Sequence, residues 1–169
     1  EPRVVVDPGV SDRTGRVLVV EDEETVRDVV NRVLGRKHDV SIAEDGQSAL
    51  AAMATDTYDV VLIDLGIPDM PGDQIAARVR DQDPLVTTVL MTGWSLSDDD
   101  PRTTNFDLRI QKPFESLAHL VEVVDQALHL KDQRGDGASQ PAPLAISDRI
   151  SYTHILLTGS RSPLSWSRR

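Results

Sequence analysis

The chain has 169 residues, with 18 Lys and Arg against 28 Asp and Glu, and no cysteine. That length suits one domain with a short appendage and needs no disulfide or structural metal to hold a core. The absence of cysteine excludes a thiol nucleophile, a zinc knuckle and a disulfide scaffold, and the net charge of −10 argues against a nucleic-acid-binding face.

The charge is uneven: residues 1–131 hold 13 basic and 25 acidic side chains, whereas residues 132–169 hold 5 and 3. No run of about 20 apolar residues offers a transmembrane helix. The start, Glu1-Pro2-Arg3, has neither the basic nor the apolar region of a signal peptide. It also lacks an initiator Met, which suggests a fragment of something longer.

In chain order, residues 1–15 hold Pro2, Pro8 and two glycines and read as a linker. Arg16–Val20 (RVLVV) is a β-branched run that suits a strand covered on both faces. Val26, Val29, Val30, Val33 and Leu34 follow at helical spacing, up to a Gly35 stop. Asp39–Ala43 (DVSIA) alternates polar and apolar, as an edge strand does. Asp45-Gly46 is a turn or N-cap signal ahead of the alanine-rich Ser48–Ala54.

A second buried strand is expected at Tyr58–Ile63 and a third helix after Pro71-Gly72, marked by Ile75, Ala76 and Val79. Val86–Met91 is the third buried strand, and Asp107–Gln111 a second edge strand. Between them Ser95–Asn105 holds three Asp and a Pro but no apolar stripe, so the fourth helix should be short or irregular. The last helix runs from Glu115 to about Lys131, with Leu117, Leu120, Val121, Val124 and Leu128 on one face.

The alternation predicts an α/β, doubly wound, five-stranded parallel sheet with helices on both faces and the two alternating strands at its edges. The domain is expected at residues 16–131. Residues 132–169 read as a flexible tail with no output domain, because Gln133–Pro143 is rich in Gly, Ser, Gln and Pro. Within that tail Ile150–Leu157 has the composition of a strand, but no partner strand is evident.

In such a sheet ligands bind beyond the carboxyl ends of the strands, where the strand order reverses. The first strand is followed by Glu21-Asp22, the third by Asp64, the fourth by Thr92 and the fifth by Lys112-Pro113. Clustered carboxylates repel one another and invite a hard divalent cation such as Mg²⁺. An ionised Asp64 is then able to attack phosphorus, with the Thr92 hydroxyl and the Lys112 ammonium on the remaining phosphoryl oxygens.

Each residue also has a plainer reading: Asp22 as a helix cap, Asp64 as a turn residue, Thr92 as structural, Lys112 as a solvated lysine. Their coincidence at four strand ends favours chemistry. A Walker A run and a G-x-G-x-x-G are absent. Asp22-Glu23-Glu24-Thr25 does not give the D-x-D-x-T of a dehalogenase-type phosphatase. His38, His119, His129 and His154 all fall away from the strand ends.

Val17–Glu23 (VLVVEDE), Val61–Gly72 (VLIDLGIPDMPG), Leu90–Gly93 (LMTG) and Lys112–Phe114 (KPF) resemble the receiver domain of two-component response regulators, across roughly residues 16–131. The resemblance implies the strand order 2-1-3-4-5, and that Asp64 is the phosphoacceptor for a phosphohistidine of a histidine kinase or histidine phosphotransfer domain. It implies that Glu21, Asp22, Asp64 and the Gly66 backbone carbonyl hold Mg²⁺ (or Mn²⁺), that Thr92 is the switch, and that Lys112 pairs with the phosphoryl group before a cis Pro113. Such a domain is not a stand-alone enzyme; it catalyses its own labelling and hydrolysis.

Arg109 stands where family receivers often carry a switch aromatic, with Trp94 and Phe106 as candidate substitutes. Trp94, two residues after Thr92, is a candidate shield of the phosphoryl group. Thr92-Gly93-Trp94, Asp98–Asp100 and Gln111–Phe114 are most like the carboxyl-terminal receivers of hybrid sensor histidine kinases, and a single-domain regulator fits almost as well. The resemblance further implies a cytoplasmic location, no direct DNA binding, no membrane insertion, and scope for a homodimer. The reading from another class is an unphosphorylated pseudo-receiver that serves only as a protein-binding module.

Overall fold

In the computed structural model the described residues are 13–137. Five strands, β1 (Arg16–Val20), β2 (Asp39–Ala43), β3 (Val60–Asp64), β4 (Thr87–Thr92) and β5 (Leu108–Gln111), form one sheet in the order β2-β1-β3-β4-β5. Every pairing is parallel. The helices are α1 (Glu24–Leu34), α2 (Gly46–Thr55), α3 (Gly72–Gln82) and α4 (Leu117–Gly137). Fold class and strand order are therefore those the sequence predicts.

Two cores result from the period-2 alternation of buried strands. Val17, Val19, Val60, Leu62, Val89, Met91 and Ile110 turn to one face, where Val30 and Leu34 of α1 and Leu120, Val124 and Leu128 of α4 cover them. Leu18, Val20, Val61 and Ile63 turn to the other, against Ala49 and Met53 of α2 and Ile75, Ala76 and Val79 of α3. The register puts Val19 beside Leu62, Leu62 beside Val89 and Met91 beside Ile110, so each face is continuous. β3 and β4 are buried throughout, while β2 and β5 keep exposed positions as edges. Val29, assigned by spacing to the apolar stripe of α1, is 40% exposed.

Two segments need tertiary explanation. In place of a fourth helix after β4 there is a single 3₁₀ turn, Pro101–Thr103, in agreement with the missing apolar stripe. α4, by contrast, passes Lys131, where its stripe stops, and continues to Gly137. The extra turn is polar and is held by ion pairs: Lys131 with Asp83 at 3.3 Å, Asp132 with Arg13 at 2.7 Å, and Arg134 with Asp107. Late basic residues also suit the negative end of a helix. Most of the expected linker at residues 1–15, the strand at Ile150–Leu157 and the rest of the tail lie outside the described residues.

Asp107 is the hub of this polar edge. Its carboxylate meets both Arg80 of α3 and Arg134 of α4, and accepts from the Thr88 backbone N–H at 2.9 Å. Burial pushes its pKa up, but the bonds from Arg134, Thr88 and Arg80 together outweigh that and leave it below the ordinary carboxylate value. A depressed pKa gives stability that is present above the unfolded value and lost as pH falls through the folded one. Asp107→Ala leaves two arginines facing each other and should cost about 3 kcal/mol. Thermal unfolding across the carboxylate range checks this: the variant should unfold earlier at neutral pH and lose less on acidification than the wild type.

Candidate functional site

The crevice beyond the strand ends gathers every side chain that the strand-end argument selects. Asp64 and Thr92 are the last residues of β3 and β4, and Glu21 and Lys112 directly follow β1 and β5. Parallel strands end on the same side of the sheet, and β1 and β3 are the neighbours at which the chain reverses its direction of winding. Glu21, Asp22 and Asp64 each offer a carboxylate oxygen within 4.8 Å of the others. Glu21 and Asp64 are buried and Asp22 is exposed. Three hard oxygen donors at that spacing, open to solvent on the Asp22 side, fit a divalent cation.

Lys112 sits between two of them. Its ammonium is 2.8 Å from Glu21 Oε2 and 3.1 Å from Asp64 Oδ1. Burial draws the Lys112 pKa down, but the hydrogen bond to Glu21 and the charges of Asp64 and Glu21 outweigh it, so the ammonium stays protonated. Burial raises Glu21, and the Lys112 bond and charge offset only part of that rise. Glu21, at 1% side-chain exposure, is the deeper member of the pair, and Lys112 is the largest influence that lowers its pKa.

The remaining contacts are backbone devices. Asp64 Oδ2 accepts the Gly66 N–H at 2.9 Å, so the turn role and the pairing with Lys112 fall to different oxygens of one carboxylate. Asp22 does not cap α1: the N-cap position is Glu23, and no side chain caps the helix there. The buried Thr92 Oγ1 accepts the Trp94 N–H at 3.0 Å. The Lys112–Pro113 bond is cis, and the Lys112 N–H is anchored on the Thr92 carbonyl at 2.8 Å.

Asp64, Thr92, Trp94, Lys112 and Pro113, with Glu23, line an open crevice of about 540 Å³. Trp94, 53% exposed, lies against the Arg102 guanidinium at 5.2 Å. Phe106 belongs to the second core and a separate small cleft, so of the two candidate aromatics only Trp94 reaches the crevice. Arg109 turns to the segment after β4, donating to the Leu96 carbonyl at 3.1 Å and pairing with Asp98 at 2.7 Å.

Sequence reasoning missed Arg27. From the first turn of α1 its guanidinium donates to the carbonyls of Glu21 at 3.0 Å and Asp22 at 2.7 Å, which pins the acidic turn. The signal was a lone cation five residues after Asp22 in an acidic stretch. His38 is buried at the opposite end of the sheet, just before β2, where Nδ1 accepts the Gly15 N–H at 3.2 Å. His119 and His129 lie on α4, and His154 is outside the described residues.

Comparison with known proteins agrees with this arrangement. Residues 17–125 match the response regulator receiver domain, and the chain belongs to that family. The transcriptional regulatory protein TrcR of Mycobacterium tuberculosis is 33% identical over 89% of this chain and 67% of its own length. The sensor histidine kinase TmoS of Ectopseudomonas mendocina is 28% identical over 87% of this chain but only 17% of its own. The response regulator TrrA of Thermotoga maritima, solved in complex with Mg²⁺-BeF, is 28% identical. Its TM-score is 0.62, over 67% of this chain and 98% of that one.

Loss of the central cation gives a direct check on the electrostatics. In Lys112→Met the Glu21 carboxyl should titrate still higher, because the partner that lowers its pKa is gone while its burial remains. A carboxyl-carbon NMR titration reads this; an unmoved Glu21 contradicts it.

Proposed function

We propose that this receiver domain takes a phosphoryl group onto Asp64 from a phosphohistidine on a histidine kinase or histidine phosphotransfer domain, and that the labelled form alters its contacts with partner proteins. The observation that carries the reading is the meeting of Glu21, Asp22 and Asp64 around one point, with Lys112 against Asp64. An Asp64 carboxylate oxygen forms the new bond to phosphorus, the phosphorus–nitrogen bond of the donor breaks, and the imidazole leaves with the electron pair. Hydrolysis later returns the carboxylate and releases inorganic phosphate.

Glu21, Asp22, Asp64 and the Gly66 carbonyl are the residues that would hold Mg²⁺ (or Mn²⁺), which when bound supplies positive charge to the phosphoryl oxygens. Lys112 supplies a second, fixed positive charge at the same place. Thr92 Oγ1 is free to turn from the Trp94 N–H and donate to a phosphoryl oxygen, which makes Thr92 the element that senses the label. The Mg²⁺-BeF complex of the related TrrA supports the metal assignment.

The charge of −10 supports a protein partner over DNA for this segment. No helix among the described residues is long and apolar enough to cross a membrane, which fits a cytoplasmic domain. Relatives include both transcriptional regulators and a sensor kinase, and phosphotransfer from a histidine kinase is common ground between those settings.

Intact-protein mass after incubation with acetyl phosphate and Mg²⁺ tests the assignment. One phosphoryl group should add to the wild type, none to Asp64→Asn, and none to the wild type with the metal chelated. A folded, Mg²⁺-supplied wild type that takes no label would establish the pseudo-receiver instead; label retained in Asp64→Asn would reveal another nucleophile. Once labelled, Trp94→Ala should lose phosphate several-fold faster than the wild type, because the indole lines the crevice that water must enter. Equal decay rates would remove Trp94 from that role.

A further inference from the structure

One acidic side chain beside the crevice takes no part in that chemistry yet touches the element that frames it. Asp69 lies in the loop between β3 and α3. Its Oδ1 accepts the Gly46 N–H at 2.8 Å and its Oδ2 the Gln47 N–H at 3.0 Å, both from the first turn of α2. The first amides of a helix have no partner within it and carry partial positive charge, so a carboxylate forked across two of them makes a charge-assisted clamp. α2 does not rely on this clamp alone for its cap. Asp45 takes the Ser48 N–H at 2.7 Å, and the Ser48 hydroxyl completes a capping box.

The same loop rests on Asp64 at both ends. At its start the Gly66 N–H bonds Asp64 Oδ2 at 2.9 Å. At its exit the Gly72 N–H reaches the Leu65 carbonyl at 3.1 Å, and a Cβ on Gly72 would stand 2.1 Å from the Asp64 carbonyl oxygen. In its middle Met70 packs where a Cβ on Gly46 would come within 2.9 Å, so glycine at 46 lets loop and helix close together. Asp69 is the side chain that hydrogen-bonds across that junction.

We propose that Asp69 is a positioning residue: by clamping the β3–α3 loop to the start of α2 it sets where the Gly66 N–H and carbonyl stand relative to the Asp64 carboxylate. The proposal deepens the phosphoacceptor reading and rests on it for its consequence, since a displaced Gly66 weakens the metal site and slows labelling. A purely structural cap and a positioning clamp make different predictions. Asp45 caps the same helix from outside the loop, so its loss destabilises α2 and leaves Gly66 in place.

The experiment uses the full chain as wild type, Asp69→Ala, Asp69→Asn and Asp45→Ala. The Gly66 amide resonance is followed by ¹⁵N NMR without metal, and Mg²⁺ binding by calorimetry. Asp69→Ala should shift the Gly66 resonance and weaken Mg²⁺ binding by about tenfold, the lower end of the loss when a group that orients a metal ligand is removed. Asp69→Asn keeps one acceptor oxygen and should fall between the two. Asp45→Ala should melt earlier with the Gly66 resonance and Mg²⁺ affinity unchanged.

A Gly66 resonance unmoved in both Asp69 variants overturns the proposal, as does an equal shift in Asp45→Ala. Should Asp69→Ala fail to fold, Asp69→Asn decides by the same readouts. A wild type that binds no Mg²⁺ would count against the phosphoacceptor reading, and the metal-free Gly66 resonance would still decide the role of Asp69.

Discussion

The contact on which the site depends is the Lys112 ammonium lodged between Glu21 and Asp64. Three carboxylates within 4.8 Å of one another repel, and two of them are buried, so the cluster requires a cation that belongs to the fold itself. Lys112 follows β5 and Glu21 follows β1, with β3 and β4 between them in the sheet. The electrostatic demand of the site therefore constrains nearly the full width of the sheet. Burial disfavours both charged forms, each group's charge favours the other's, and both pKa values end above their ordinary ones.

Everything beneath that contact serves to bring strand ends together. The alternation of β1, β3 and β4 supplies apolar side chains to two cores at once. A sheet covered on both faces leaves only its ends available for chemistry. Above it, polar devices orient the site: Arg27 on the carbonyls of the Glu21-Asp22 turn, the Gly66 N–H on Asp64, and the Trp94 N–H on Thr92. The segment after β4 lacks the apolar stripe that would make it a helix. It is held instead by hydrogen bonds and ion pairs, among them Arg109 with Asp98 and Arg102 with Asp100. Pairs with an exposed partner are individually weak.

By itself the sequence determined which strands are buried and which are edges, the two-sided burial, the irregular fourth segment and the five strand-end side chains Glu21, Asp22, Asp64, Thr92 and Lys112. All are local patterns: β-branched runs, a period of two, and residue type at the end of each run. It also left Asp22 open as a helix cap, and the structure places the N-cap at Glu23 instead.

Tertiary structure alone decided the rest. The end of α4 from Lys131 onward is polar in sequence, and Asp83, Arg13 and Asp107 come from elsewhere in the chain to pair with Lys131, Asp132 and Arg134 there. Phe106 and Trp94 are both candidates in the sequence for the aromatic absent at Arg109, but of the two only Trp94 reaches the crevice. Asp69 finds its partners only once the fold sets its loop against α2, 22 and 23 residues back along the chain. Periodicity and composition record what a residue does within its own element; these contacts join elements distant in sequence, and their geometry exists only once the sheet has closed.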